Sequence, residues 1–181
     1  MRTPTQKIPF VADGEIFSVG DIKFIKFPEV NGTVPAVAKN IVFRSRFGND
    51  NDLRRSDVLK KLESKFLSKI IDAVGEENLC LIKTDLTCLD GLNPYGEMES
   101  LVSLPTLDFY RTNAEIFDKH RAEDWWWLAT PDSALPHSSP NWFLCVAPSG
   151  CVFSRGCCRF DGFGVRPFLS FNSSIFESST E

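Results

Sequence analysis

Residues 124–133 read Asp-Trp-Trp-Trp-Leu-Ala-Thr-Pro-Asp-Ser (DWWWLATPDS) and hold three of the four tryptophans in the 181-residue chain. In a strand, side chains alternate between faces, so Trp125 and Trp127 point one way and Trp126 the other. We expect Trp125 and Trp127 to be structural core residues. Trp126 then becomes a candidate for a partner-binding surface, unless a loop or helix such as the segment 95–120 covers it. From Trp125 onward, short apolar runs alternate with Gly, Pro and Ser clusters: WWWLATP, NWFLCVAPSG, CVFSRG and GVRPFLSF. That texture predicts a β-rich, loop-heavy C-terminal half.

The N-terminal half reads differently. Residues 1–15 look like a loose arm. EIFSVGDIKFIKFPEV predicts two short strands around a Val19-Gly20-Asp21 turn. In the second of them, Ile22, Phe24 and Lys26 share one face, and Lys23, Ile25 and Phe27 the other. KNIVFRSRF gives a further strand centred on Ile41, Val42 and Phe43. SDVLKKLESKFLSKIIDAVG predicts the main helix, at about 56–74. Ser56 suits its N-cap, Asp57 its first turn and Gly75 its C-terminus. Leu59, Leu62, Phe66 and Ile70 form its apolar stripe. Leu79 to Ile82 predicts a strand followed by a loop, and Thr106 caps a short helix. The fold class is α+β.

Charge is polarised along the chain. Residues 1–75 carry 13 Lys+Arg against 9 Asp+Glu, whereas 76–132 carry 12 acids against 4 bases. The plain explanation is a solvated surface that aids solubility. The sharper one is an acidic surface, including Glu97, Glu99, Glu123 and Asp124, that docks on a basic protein. The helix carries Lys60, Lys61, Lys65 and Lys69 on its polar side. Those lysines are solvated in the ordinary case and are otherwise a candidate DNA contact. No apolar run approaches the roughly 18 residues a membrane span needs, and no secretory h-region is visible. We therefore expect a soluble, cytoplasmic protein that engages no membrane.

Catalytic patterns are not legible. The chain lacks a GxSxG elbow. Six cysteines and two histidines, His120 and His137, show neither a nucleophile signature nor zinc-ligand spacing. GFGVRP has glycines, but it runs into Pro167 and a strand instead of opening a helix. No EF-hand-like spacing appears for calcium. We expect no catalytic residue, no cofactor and no metal site. Arg166 stands apart: an arginine in an apolar strand must find acceptors for its five donors. It is either a brace that ties loops to a sheet or a ligand anchor, and we favour the brace.

DWWWLATP, the Gly turn in APSGCVFS, and GVRPFLSFNSSIFES together resemble a WWL…GVRP domain family of gut Firmicutes and their prophages. The similarity runs over about residues 16–178, and SLPTLDFYR resembles a helix of that family. This family is similar to the C-type-lectin-like fold of formylglycine-generating enzymes and of retroelement display proteins. The resemblance implies one C-type-lectin-like domain at 16–181 after an arm at 1–15, with small twisted sheets, long loops and a variable surface at Asp132 to Phe163. The catalytic cysteine pair of the formylglycine-generating enzymes has no clear counterpart here. Similar short proteins inhibit CRISPR nucleases. The resemblance thus implies a non-enzymatic, stoichiometric inhibitor whose partner is a CRISPR effector nuclease in a bacterial host. A phage ligand-display protein is the alternative, and a bacterial regulator is a third. An acidic 76–132 surface would suit the positively charged channels of such a nuclease, and its docking would weaken as salt rises.

Cys80, Cys88, Cys145, Cys151, Cys157 and Cys158 are expected to be free thiols. Thiol titration of the unfolded chain without reductant should find all of them reactive; fewer than about five would argue for disulfides and against a cytoplasmic setting.

Overall fold

In the computed structural model the described residues are 7–137, 139–156 and 162–178. Cys157 and Cys158 lie outside them. The chain begins with the expected hairpin, β1 (Ile16–Val19) and β2 (Ile22–Lys26), followed by β3 (Thr33–Ala38) and the short β4 (Phe43–Arg44). Helix α1 is continuous but mixed: α-helical at Asp57–Lys61, a π-helical turn at Leu62–Phe66, and α-helical again at Leu67–Val74. A second hairpin, β5 (Ile82–Asp85) and β6 (Glu97–Ser100), precedes the short helices α2 (Leu107–Thr112) and α3 (Ala114–Lys119). The C-terminal part supplies β7 (Trp126–Pro131), β8 (Trp142–Val146), β9 (Val152–Gly156), β10 (Gly164–Val165) and β11 (Phe168–Asn172). The class is α+β, with small sheets and one main helix. No helix among the described residues is long and apolar enough to cross a membrane.

Helix α1 starts and stops where its sequence directs. The Ser56 hydroxyl accepts from the Leu59 amide at 2.9 Å, and Gly75 ends the helix at a φ of +84° that other residues rarely adopt. Its buried stripe is Val58, Leu62, Phe66, Ile70 and Val74, with Leu59 beside it. Residues four apart drift about 40° around a regular α-helix. The wider π turn takes up that drift and keeps the stripe on one side.

The strands form a four-stranded sheet, β1-β2-β3-β11, a five-stranded sheet, β4-β10-β7-β8-β9, and the β5-β6 hairpin. The inner strands of both larger sheets are buried on both faces, whereas the edge strands β1, β4 and β9 keep exposed residues. Phe24, Ala36, Trp127 and Cys145 pack in one cluster with the apolar side of α1. Their strand neighbours Ile25, Val37, Trp126 and Val146 pack in a second cluster with Leu107, Tyr110 and Phe117 of α2 and α3. This explains why Phe24, Ile25 and Phe27, from opposite faces of the β2 region, are all fully buried.

The tryptophan expectation is therefore corrected. Trp126 is 1% exposed and is no surface candidate, because α2 and α3 cover its face, with Phe117 stacked on it at 5.9 Å between ring centroids. Trp127 is core, and its indole N–H donates to the Ser45 carbonyl at 2.9 Å. Trp125 is only half-buried, stacked on Phe163 at the edge of the main core. The N-terminal arm is not loose from Ile8 onward either. Ile8 is buried and bonds both Ile175 and Glu177 through its backbone. Strand β6 was not foreseen, since EMES is too polar to signal a strand by alternation.

The stretch GVRP carries the chain from one sheet to the other. Strand β10 runs parallel to β7, with Gly164 opposite Trp126, and antiparallel to β4. A side chain at Gly164 would collide with Ile41, so the close approach requires glycine. After Pro167 the chain enters β11 and pairs with β3. Arg166, at the crossing, is 1% exposed. Its Nε–H donates to the Ala38 carbonyl at 2.9 Å, while the Ala38 N–H donates to the Pro167 carbonyl at 2.9 Å. Its guanidinium lies over the rings of Trp126, at 4.9 Å, and Phe117, at 5.7 Å. Burial pulls it down to about 10, which leaves it charged at neutral pH. Arg166 is thus a brace, held more by aromatic faces than by the several acceptors its donors would seek.

Arg166→Ala should cost about 2–4 kcal/mol in urea unfolding, from the cavity and the lost cation–π contacts. Arg166→Met should cost less than half of that, because an apolar side chain of similar length fills the space without a charge to desolvate. An unchanged unfolding midpoint for the alanine variant would remove the brace role.

Candidate binding face on the loops

Three large exposed apolar side chains lie on the loops around β7 and β8. Three segments meet there: residues 50–55, the β5–β6 connection at 86–96 and the β7–β8 connection at 132–141. Asn51 joins them. It is fully buried, and its Nδ2 donates to the carbonyls of Ser133 at 2.7 Å and Trp142 at 3.0 Å. Its Oδ1 accepts from the Tyr95 hydroxyl at 2.6 Å, and its amide donates to the Pro140 carbonyl. One side chain thereby satisfies polar groups from all three segments, which water would otherwise have to satisfy.

A second tie runs through Asp90. Its carboxylate accepts from the Leu92 amide at 3.0 Å, the Ala134 amide at 3.4 Å and His137 Nδ1 at 3.0 Å. Partial desolvation pushes this carboxyl up, but those bonds and the imidazole outweigh it and hold it below the ordinary range. Asp52 caps the 3-10 turn Leu53–Arg55 and pairs with Arg54 and Arg55. Burial raises its pKa, yet the Arg54 bonds and both guanidinium charges bring it lower on balance. Its folded-state value therefore lies below the unfolded one. The stability it contributes is complete above about pH 4 and is lost as pH falls further.

From this tied base, three large apolar side chains project into solvent: Leu89 is 53% exposed, Leu135 70% and Trp142 43%. The surrounding polar groups are largely paired within the face: Asp50 with Arg55 and Asp52 with both arginines as ion pairs, and Asp90 with His137 through a hydrogen bond. The exposed side chains without a polar partner on this face are apolar, and two of the three, Leu135 and Trp142, lie within residues 132–163.

The four acidic candidates do not form one patch. Glu97 and Glu99 sit exposed on β6, and Glu97 pairs with Lys83 at 2.6 Å. Glu123 and Asp124 lie in the loop before β7, among Lys39, Arg44, Lys119 and Arg121. Asp124 accepts from the Trp125 amide and pairs with Arg44 at 2.6 Å, and these lower its pKa in that order. Of the lysines, Lys61, Lys65 and Lys69 line one groove, whereas Lys60 stands exposed outside it. Leu89, Leu135 and Trp142 escaped the sequence reading. An exposed apolar residue in a loop has no periodic signature, and only its placement separates it from a core residue.

Among the described residues, two thiols are buried and both imidazoles are hydrogen-bonded. Burial, with Asp90 and Asp132 nearby, pushes Cys88 up to about 11, and burial pushes Cys145 up to about 12. Both are protonated at neutral pH. His120 Nε2 is bonded to the Gly14 carbonyl, and His137 to Asp90. Among the described residues, no three His, Cys, Asp or Glu side chains converge to hold a metal. No family model, no curated protein and no solved structure matches this chain.

Asn51→Ala should lower stability by about 2–4 kcal/mol, because it strands two carbonyls and a hydroxyl. Tyr95→Phe should cost only about 1 kcal/mol. Hydrogen exchange at residues 132–142 should speed up in the first variant and change little in the second. Equal exchange in wild type and Asn51→Ala would show that Asn51 does not hold the loops.

Proposed function

We propose that this chain is a binding protein that acts by occupying a protein partner, without turnover, through Leu89, Leu135 and Trp142. The observation that carries this reading is the combination of exposed apolar tips with a base already locked by Asn51 and Asp90. Large apolar side chains supply most of the energy in interface hot spots. A pre-ordered base keeps the entropic cost of docking low. The resemblance to the WWL…GVRP family supports a CRISPR effector nuclease as the partner, in the cytoplasm of a bacterial host. The ion pairs at Glu97 and Asp124 shift the expected contact from acidic docking to apolar burial.

The second reading is a phage ligand-display protein. It is favoured by the position of Leu135 and Trp142 within the 132–163 stretch. Both readings use the same loops but differ in the partner. Titrating the protein into a nuclease cleavage reaction separates them. Inhibition should saturate at a fixed molar ratio, and the double variant Leu135→Asp, Trp142→Asp should weaken it at least tenfold. Charge reversal at Glu97, Glu99, Glu123 and Asp124 together should weaken it less than about threefold. If a large excess leaves both cleavage and target binding untouched, the inhibitor reading fails. Loop-dependent binding to a cell-surface ligand would then establish display.

A further inference from the structure

A second site lies on helix α1 and shares no residue with the loop face. Between α1, β2 and β4 runs an open groove of about 440 Å3. Its floor is apolar, made by Ile22, Val42, Phe43 and Phe66. Arg44, Lys61, Lys65 and Lys69 line it as well, and among the described residues no carboxylate does. The volume falls within the roughly 300–1,000 Å3 typical of small-molecule sites.

The cations are not equally committed. Arg44 pairs with Asp124 and donates to the Gly162 carbonyl at 2.8 Å, while Lys61 donates to the Ser45 hydroxyl at 2.8 Å. Lys65 and Lys69 make no hydrogen bond or ion pair with any described residue. Lysines 61, 65 and 69 repeat at four-residue spacing, so their like charges oppose one another along the helix. The π turn Leu62–Phe66 contains Lys65 and Phe66, and such turns recur at functional sites.

We propose that this groove binds a small amphipathic anion, a medium-chain fatty carboxylate, with its head at Lys65 and Lys69 and its chain over Val42, Phe43, Ile22 and Phe66. The two halves of the site set this choice. A bare inorganic anion satisfies the lysines but leaves the floor in water. A nucleic-acid backbone is polar along its whole length and does the same. Val42, at 36% exposure, and the half-buried Ile22 and Phe43 remain for an alkyl chain to cover. The cations select the sign of the head group, and the floor selects the tail.

Calorimetric titration of the full chain tests this with octanoate, decanoate and dodecanoate below their micellar concentrations, and with decylamine, inorganic phosphate, a DNA duplex and anionic phospholipid vesicles as comparators. One carboxylate should bind per chain, and affinity should rise about twofold to fourfold per added methylene until the groove is filled. Decylamine and phosphate should bind at least tenfold more weakly than decanoate. Lys65→Ala with Lys69→Ala should weaken decanoate roughly tenfold without lowering the melting temperature, because both side chains are exposed. Val42→Glu should weaken it at least as much, through a separate part of the site. The proposal is overturned if decylamine matches decanoate, if phosphate matches decanoate, or if the lysine variant binds decanoate normally. It is also overturned if only DNA or only vesicles bind.

Discussion

The crossing at Gly164-Val165-Arg166-Pro167 is the constraint on which the rest of the structure depends. The chain passes between the two sheets twice, at 39–42 from β3 to β4 and here from β10 to β11, and this second joint sits in the core. Arg166 meets three surfaces at once, the Ala38 carbonyl, the Trp126 ring and the Phe117 ring, while one of its terminal nitrogens is buried without a hydrogen-bond partner among the described residues. Pro167 adds a carbonyl that the Ala38 amide reaches from the other side. The guanidinium thereby ties the end of β3 to the start of β7 and to α3. A lysine would carry the charge but lacks the flat group that lies against an indole.

This joint makes the two clusters interdependent. Strands β2, β3, β7 and β8 send alternate side chains to the cluster under α1 and to the cluster under α2 and α3, so neither layer can be loosened without exposing apolar surface on the other. The tryptophan run is the clearest case. Trp127 anchors the α1 side and Trp126 the α2–α3 side, while Trp125 at the strand end closes the main core against Phe163. A strand buried on both faces loses the apolar–polar alternation of a surface strand, and all six residues of β7 are buried.

With the interior so committed, binding capacity falls to the parts that the sheets do not bury. The loop face and the helix groove are built on opposite principles. In the loop face, polar groups are spent internally on Asn51, Asp52 and Asp90, and apolar tips are left outside. In the groove, apolar groups form the floor and unmatched lysines line it. The proposed protein partner would cover the apolar tips of the first. A small amphiphile suits the second because its head and tail match the two halves.

By itself the sequence determined the α+β class, the limits of α1 through Ser56 and Gly75, the β1–β2 hairpin and the burial of Arg166. Each of these rests on local chemistry: a capping hydroxyl, a glycine with positive φ, a two-residue period, a cation in an apolar run. Tertiary structure alone decided which face of β7 would be covered, that β6 would form from the polar EMES, and that Leu89, Leu135 and Trp142 would share one set of loops. It also split the acidic candidates, setting Glu97 and Glu99 on a hairpin and Glu123 and Asp124 beside Arg44. The physical reason is the same in every instance. Alternation and capping act between near neighbours along the chain, whereas exposure depends on which distant segment packs over a side chain, and the residue's own sequence context carries no record of that.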